Sequence, residues 1–208
     1  MIENHSLSID IGEWVISEAL IQIALWQEHG LNFVVSVNID ALQLQEQNFV
    51  DRLAQLLAAH PHVKPSNLEL EVLETSALSD VLNASNIMNK CADLGVSFAI
   101  DDFGTGYSSL TYLRRLPADL IKIDQSFICD MLVDPEDKAI VVGIIALAKS
   151  FNRKVIAEGV ETIAHGTALL EIGCELAQGY GIARPMPPIK YLAGLLIGNP
   201  TYHGEQLR

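Results

Sequence analysis

The chain has 208 residues, half of them apolar and 19% charged, with a formal net charge of −13. That composition suits one domain with a sizeable core and excludes a disordered chain. The acid excess argues against a nucleic-acid surface, which needs clustered Lys and Arg, and three scattered cysteines exclude a disulfide frame or a zinc site.

No apolar run is long enough to span a bilayer, and the first residues carry neither a basic cluster nor an apolar leader. A cytoplasmic domain without a membrane segment is therefore expected. Apolar spacing of three and four residues predicts a helix over 12–27, and a β-branched run predicts a strand over 33–39. The pattern then alternates. Helices are expected over 47–59, 83–94, 109–116, 136–151, 163–172 and 191–197, and strands over 68–73, 96–101, 120–124, 154–158 and 175–180. Asp134-Pro135 marks a helix start, while Gly95 and Gly173 mark two helix ends. Such alternation implies a parallel sheet, either open or closed into a barrel. Six strands are two fewer than a (β/α)₈ barrel requires. No linker or repeat marks a second domain, so 1–208 reads as a single one.

Strands covered on both faces normally read as unbroken apolar runs, and these do not. Polar groups gather near their C-terminal ends: Asn38, Glu69 and Glu71, Asp101 and Asp102, Lys122 and Asp124, Glu158, and Gln178. Strand alternation puts Glu69 and Glu71 on one face, Lys122 and Asp124 on one face, and Ile156 with Glu158. In barrel enzymes that end of the sheet carries the site. Acids and an amide converging there suit hard divalent cations, and paired cations suit phosphodiester hydrolysis. One acid alone reads more simply as a helix cap or loop-ordering group; six polar strand ends together do not.

Asp101-Asp102-Phe103-Gly104-Thr105-Gly106-Tyr107-Ser108-Ser109-Leu110 resembles the signature loop of EAL domains, the phosphodiesterases that linearise cyclic di-GMP. Val37-Asn38-Ile39, Glu71-Val72-Leu73-Glu74, Ile121-Lys122-Ile123-Asp124, Ala157-Glu158-Gly159-Val160-Glu161 and Gln178-Gly179-Tyr180 resemble the family in order and spacing. The resemblance implies an α/β, TIM-like (β/α)₈ barrel and Mg²⁺- or Mn²⁺-dependent hydrolysis in bacterial second-messenger signalling. It implies metal ligands at Asn38, Glu71, Asp101 and Asp102, with Asp101 able to bridge two ions. Lys122 would help place the attacking water, Glu158 would be the catalytic glutamate, as general base or as second-metal ligand, and Asp102 would count among the catalytic residues as well as the ligands. Gln178 would be a further active-site contact; Asp124 reads as holding Lys122 or the substrate, and Glu161 as a substrate contact or a surface charge on its loop. Glu74 would anchor the loop carrying Gly104, Thr105 and Gly106, coupling it to the metals and to a homodimer.

The family's Glu-Ala-Leu run lies on an early strand, and its Glu binds metal. Glu18-Ala19-Leu20 does not match it, because its surroundings are helically spaced and no Arg follows. The resemblance therefore implies an N-terminally incomplete domain, lacking two strands and one ligand, with weak activity or none. Asp40 and Leu73 stand where the family often has Ser and Thr. Ala183-Arg184-Pro185-Met186-Pro187 reads first as a chain-stiffening exit from the last strand, and second as bringing its Arg to a guanine or phosphate. An upstream sensory or GGDEF-type domain is expected. Two other readings stay open: a non-catalytic cyclic di-GMP receptor, and a purely structural module.

Overall fold

The computed structural model describes residues 7–106 and 110–188. Leu7–Glu28 forms α1, whose buried residues Gly12, Ile16, Ala19, Leu20 and Ile23 make one face that packs on β1, Val35–Ile39. Glu18 lies on the exposed side of this helix. The chain continues through α2 (Ala41–Gln45), α3 (Phe49–Ala59), β2 (Leu68–Leu73), α4 (Glu74–Ser79), α5 (Val81–Asp93), β3 (Ser97–Phe103) and α6 (Leu110–Arg115). It then forms β4 (Leu120–Ile123), α7 (Gln125–Asp130), α8 (Pro135–Ser150), β5 (Lys154–Ala157), α9 (Ile163–Glu171) and β6 (Leu176–Ala177).

All six expected strands occur, yet β6 is only 2 residues long. Its ladder continues without strand geometry, because Gln178 N–H donates to Ala157 O and Val160 N–H donates to Gln178 O. Three short helices escape periodicity analysis: α2, α4 and α7 span 5 or 6 residues, too few for a 3.6-residue repeat to show. Local chemistry starts two of them. Asp40 and Asp124 accept from the backbone N–H of Leu42 and Ser126, each at 2.8 Å, capping α2 and α7. Asp134 caps α8 in the same way, with Pro135 in its first turn. The expected helix over 191–197 lies outside the described residues.

Contacts gather the described elements into two compact units: residues 7–101 with 106 and 110–119, and 102–105 with 120–188. In the first, β1, β2 and β3 pair in parallel and in order. Val37, Leu70 and Phe98 form one cross-strand row, and Ile39, Val72 and Ile100 the next. All six are buried. The intervening rows are Ser36, Glu69 and Ser97, then Asn38, Glu71 and Ala99. Apolar and polar rows thus alternate to opposite faces.

The second unit repeats the pattern with β4, β5 and β6, again parallel and in order. Ile121 pairs with Val155, and Ile123 with Ala157 and Ala177, on one face. Helix α8 buries Val141, Ile144, Ile145 and Ala148 and contacts β4 and β5. Each fully buried large side chain there contributes roughly 1.5–3 kcal/mol. Among the described residues no helix is long and apolar enough to cross a membrane.

The helical register of Glu18-Ala19-Leu20 can be tested by paired substitutions. Glu18→Ala is expected to change urea-unfolding free energy by less than about 0.5 kcal/mol. Leu20→Ala, at a position with 0% exposure, is expected to cost about 2–5 kcal/mol. The thiols give a second test. Cys91 and Cys174 are buried and Cys129 is exposed, and burial pushes the Cys91 thiol up to about 12. A chromogenic disulfide reagent at pH 8 should label only Cys129 in the native chain, and all three after unfolding.

Candidate functional site

In the first unit the polar face carries Asn38, Glu71 and Asp101. Asn38 and Glu71 are register partners on β1 and β2. Asp101 follows Ala99, the partner of Glu71 on β3, by two residues and so shares its face. Glu71 and Asp101 are 7% and 8% exposed, whereas Asn38 is exposed. Carboxylates this buried are tolerated only with compensating hydrogen bonds or positive charge. Glu69, one row nearer the strand starts, accepts from Ser36 Oγ at 2.9 Å.

Glu74 begins α4 and is 2% exposed. Its Oε2 accepts from Gly106 N–H at 3.2 Å. A Cβ added at Gly106 would stand 3.2 Å from the same carboxyl group, so any larger residue there crowds the anchor. Tyr107, Ser108 and Ser109 lie outside the described residues.

Asp102 belongs to the second unit and has φ 52°, a left-handed conformation uncommon for a residue with a side chain. Thr105 Oγ1 donates to Asp102 O at 2.9 Å and closes the turn. Gly104, at φ 107°, completes it; a Cβ there would stand 2.9 Å from the Phe127 ring. Strain of this kind persists where surroundings over-determine the backbone, and it gathers at functional sites.

Lys122 and Glu158 lie on the same face of β4 and of the extension of β5. Lys122 Nζ stands 2.7 Å from Glu158 Oε1, and the two side chains are 6% and 12% exposed. Gln178 Nε2 donates to that same oxygen at 2.6 Å. One carboxylate oxygen is thus fixed by a cation and an amide, which sets the orientation of the whole group. A carboxylate oxygen of Asp102 lies within 4.8 Å of one of Glu158. Two carboxylates, a lysine and an amide can bind a hard cation, hold a water and move its proton.

A cavity of about 530 Å³ opens beside Glu158 within the second unit, lined also by Glu161, Gln178, Tyr180 and Arg184. Its rim is acidic. The Cys129 thiol is pushed up first by burial and then by the negative charges of Glu161, Asp130 and Asp124. Asp124 itself caps α7, so its carboxylate serves the backbone as well as any ligand. Two cavity residues have no place in the leading sequence reading of the site: Tyr180, quoted there only within a motif, and Arg184, whose approach to a guanine or phosphate is a second reading. Arg184 Cζ sits 4.7 Å from the Tyr180 ring centroid, in cation–π contact. The Tyr-x-x-x-Arg spacing after Gln178 was the available signal, masked by the two prolines that follow.

The family model described as EAL domain matches residues 1–185. The chain is 43% identical to the bifunctional diguanylate cyclase/cyclic di-GMP phosphodiesterase MucR of Pseudomonas aeruginosa, over 94% of this chain and 28% of that relative. It is 36% identical to the cyclic di-GMP phosphodiesterase PdeR of Escherichia coli, over 91% of this chain and 28% of PdeR. The chain therefore spans little more than a quarter of either relative. The solved MucR phosphodiesterase in complex with cyclic di-GMP superposes with a TM-score of 0.87, covering 91% of this chain and 76% of that one. The expected TIM-barrel type of α/β fold is thus established.

The buried pair gives a stability test. Lys122→Met, which leaves the Glu158 charge without its cation, is expected to cost about 3–5 kcal/mol in urea unfolding. Adding Glu158→Gln to it should recover most of that loss.

Proposed function

Because the chain belongs to the EAL domain family, we propose that it hydrolyses cyclic di-GMP to the linear dinucleotide, using Mg²⁺ or Mn²⁺, in bacterial second-messenger signalling. The observation that carries this reading is Glu158, held by Lys122 and Gln178 beside Asp102. The family match runs through both compact units, which supports reading 1–208 as one functional domain.

The donor set fits the proposed metal. Asn38, Glu71, Asp101 and Asp102 offer only oxygen, which suits Mg²⁺ or Mn²⁺ over soft metals. The oxygens of Asp102 and Glu158, within 4.8 Å of each other, are close enough to face a common cation. Such a cation, when bound, polarises the phosphoryl group and lowers the pKa of water.

The chain's own residues do the rest. Glu158 accepts a proton from the attacking water, whose oxygen bonds to phosphorus as the P–O3′ bond breaks. That proton is returned to the departing 3′ oxygen. Lys122 balances the charge of Glu158 and donates to the water, and Gln178 fixes the carboxylate plane. Glu161 and Asp124 face the substrate from the cavity side and from the start of α7. Glu74 fixes the loop through Gly106, with Gly104 and Thr105 shaping the turn at Asp102.

A homodimer and an upstream sensory or GGDEF-type domain belong to the same proposal, the latter supported by the bifunctional MucR relative. So does a cytoplasmic location, where a nucleotide messenger is met.

Chromatographic assay of cyclic di-GMP turnover with Mg²⁺ or Mn²⁺ tests the reading. The wild-type chain should form linear product, at the low rate expected of an incomplete ligand set, and stop on adding EDTA. Glu158→Gln should lower kcat by roughly 10²–10⁴, and Asp102→Asn should raise the metal concentration needed for half-maximal rate. Binding by the wild type with no turnover at any metal concentration would make this chain a receptor instead.

A further inference from the structure

We infer that the outward face of α1 is a self-association surface, on which a second copy of this chain lays its own α1 antiparallel. The contact uses none of the residues assigned to the cyclic-dinucleotide site and does not rest on that reading.

Helix α1 is apolar on two opposite faces. Ile16, Leu20 and Ile23 belong to the buried one. At about 100° per residue, Leu7, Ile11, Trp14, Glu18, Ile21 and Leu25 form a stripe on the other, and all six are exposed. The five apolar members are 53%, 42%, 62%, 41% and 44% exposed in chain order. Their steps of four and three residues, alternating along the helix, are those of a coiled-coil seam. Single apolar residues on a surface need no explanation, whereas a contiguous patch marks an interaction site.

The sequence of the stripe selects its occupant. An amphipathic helix that lies on lipid carries Lys and Arg beside its apolar face. Helix α1 carries Asp10, Glu13, Glu18 and Glu28 and no basic residue, and it is not apolar enough to cross a membrane. The stripe is also palindromic. Laid antiparallel on its own copy, Leu7 meets the partner's Leu25, Ile11 the partner's Ile21, and Trp14 the partner's Glu18. One register therefore fills all six positions, and the contact is isologous, as a two-fold dimer requires.

Glu18 decides between orientations, because one polar residue in a seam fixes register. Antiparallel, its carboxylate accepts from the indole N–H of the partner's Trp14. Parallel, it would face the partner's Glu18, a like charge. A shift of one heptad leaves Leu7, or both Ile21 and Leu25, beyond the end of the facing helix. Two patches, each on the order of 500 Å², together reach the roughly 1,000 Å² that a specific interface needs. Repulsion between chains of net charge −13 offsets part of the gain, which makes this a dimer of micromolar affinity.

Sedimentation equilibrium of the full chain, up to roughly 100 μM, reads the contact. Wild type should fit a monomer–dimer equilibrium. Ile21→Glu, at an exposed position, should weaken the dimer by about 100-fold or more with the far-UV circular dichroism unchanged. Orientation is read by cross-linking in a Cys129→Ser background, where Cys91 and Cys174 stay buried. Ile11→Cys and Ile21→Cys chains, mixed and mildly oxidised, should join to each other. A wild type that stays monomeric would overturn the inference. So would a dimer that survives Ile21→Glu, which would move association to another face, such as the loop anchored by Glu74. Ile11→Cys joined only to itself would overturn the antiparallel register. Each readout is independent of cyclic di-GMP turnover.

Discussion

Each strand of this protein must satisfy two environments, because successive side chains leave a strand on opposite faces. The rows Val37–Leu70–Phe98 and Ile39–Val72–Ile100 answer one environment by being buried and apolar. The opposite face answers the other with Asn38 and Glu71 in one row and Asp101 in the row beyond. A slip of one residue in β2 would drive Glu69 and Glu71 into the apolar layer and bring Leu70 and Val72 out of it. Burial of the apolar rows therefore fixes register, and register fixes where Glu71 and Asp101 stand. The same holds for Ile121 and Ile123 against Lys122 in the second unit. Core stability and site geometry are one constraint.

That coupling explains why so much was legible in the sequence. Strand positions and polar strand ends follow from a period of two, which a few residues suffice to reveal. Short elements leave no such trace. Helices α2, α4 and α7 are too brief for periodicity, and two of them depend on the single carboxylates of Asp40 and Asp124. Asp124 shows the cost of reading acids by location alone, since part of its work is to cap a helix. Glu18-Ala19-Leu20 is the opposite case: the family's letters on a helix, with Leu20 buried and Glu18 exposed. Spacing separated it from the motif where composition could not.

What the sequence could not supply was side-chain convergence. Nothing in the letters shows that Lys122 and Gln178 meet on one oxygen of Glu158, nor that Arg184 lies on Tyr180. Both facts bear on the puzzle of an anionic ligand and a chain of net charge −13. Lys122 stands beside Glu158, an acid that would otherwise repel a phosphodiester, and Arg184 lines the same cavity as Glu158; divalent cations on the oxygen donors would likewise offset the acids.

The central claim is that water attacks one phosphodiester with this chain as a metal-dependent catalyst. Mass spectrometry of the reaction with cyclic di-GMP and Mg²⁺ in ¹⁸O-labelled water measures that directly. The account predicts linear dinucleotide carrying one ¹⁸O on its new terminal phosphate, formed with metal and absent with EDTA. Ligand recovered intact under every metal condition, or product without the label, would contradict it.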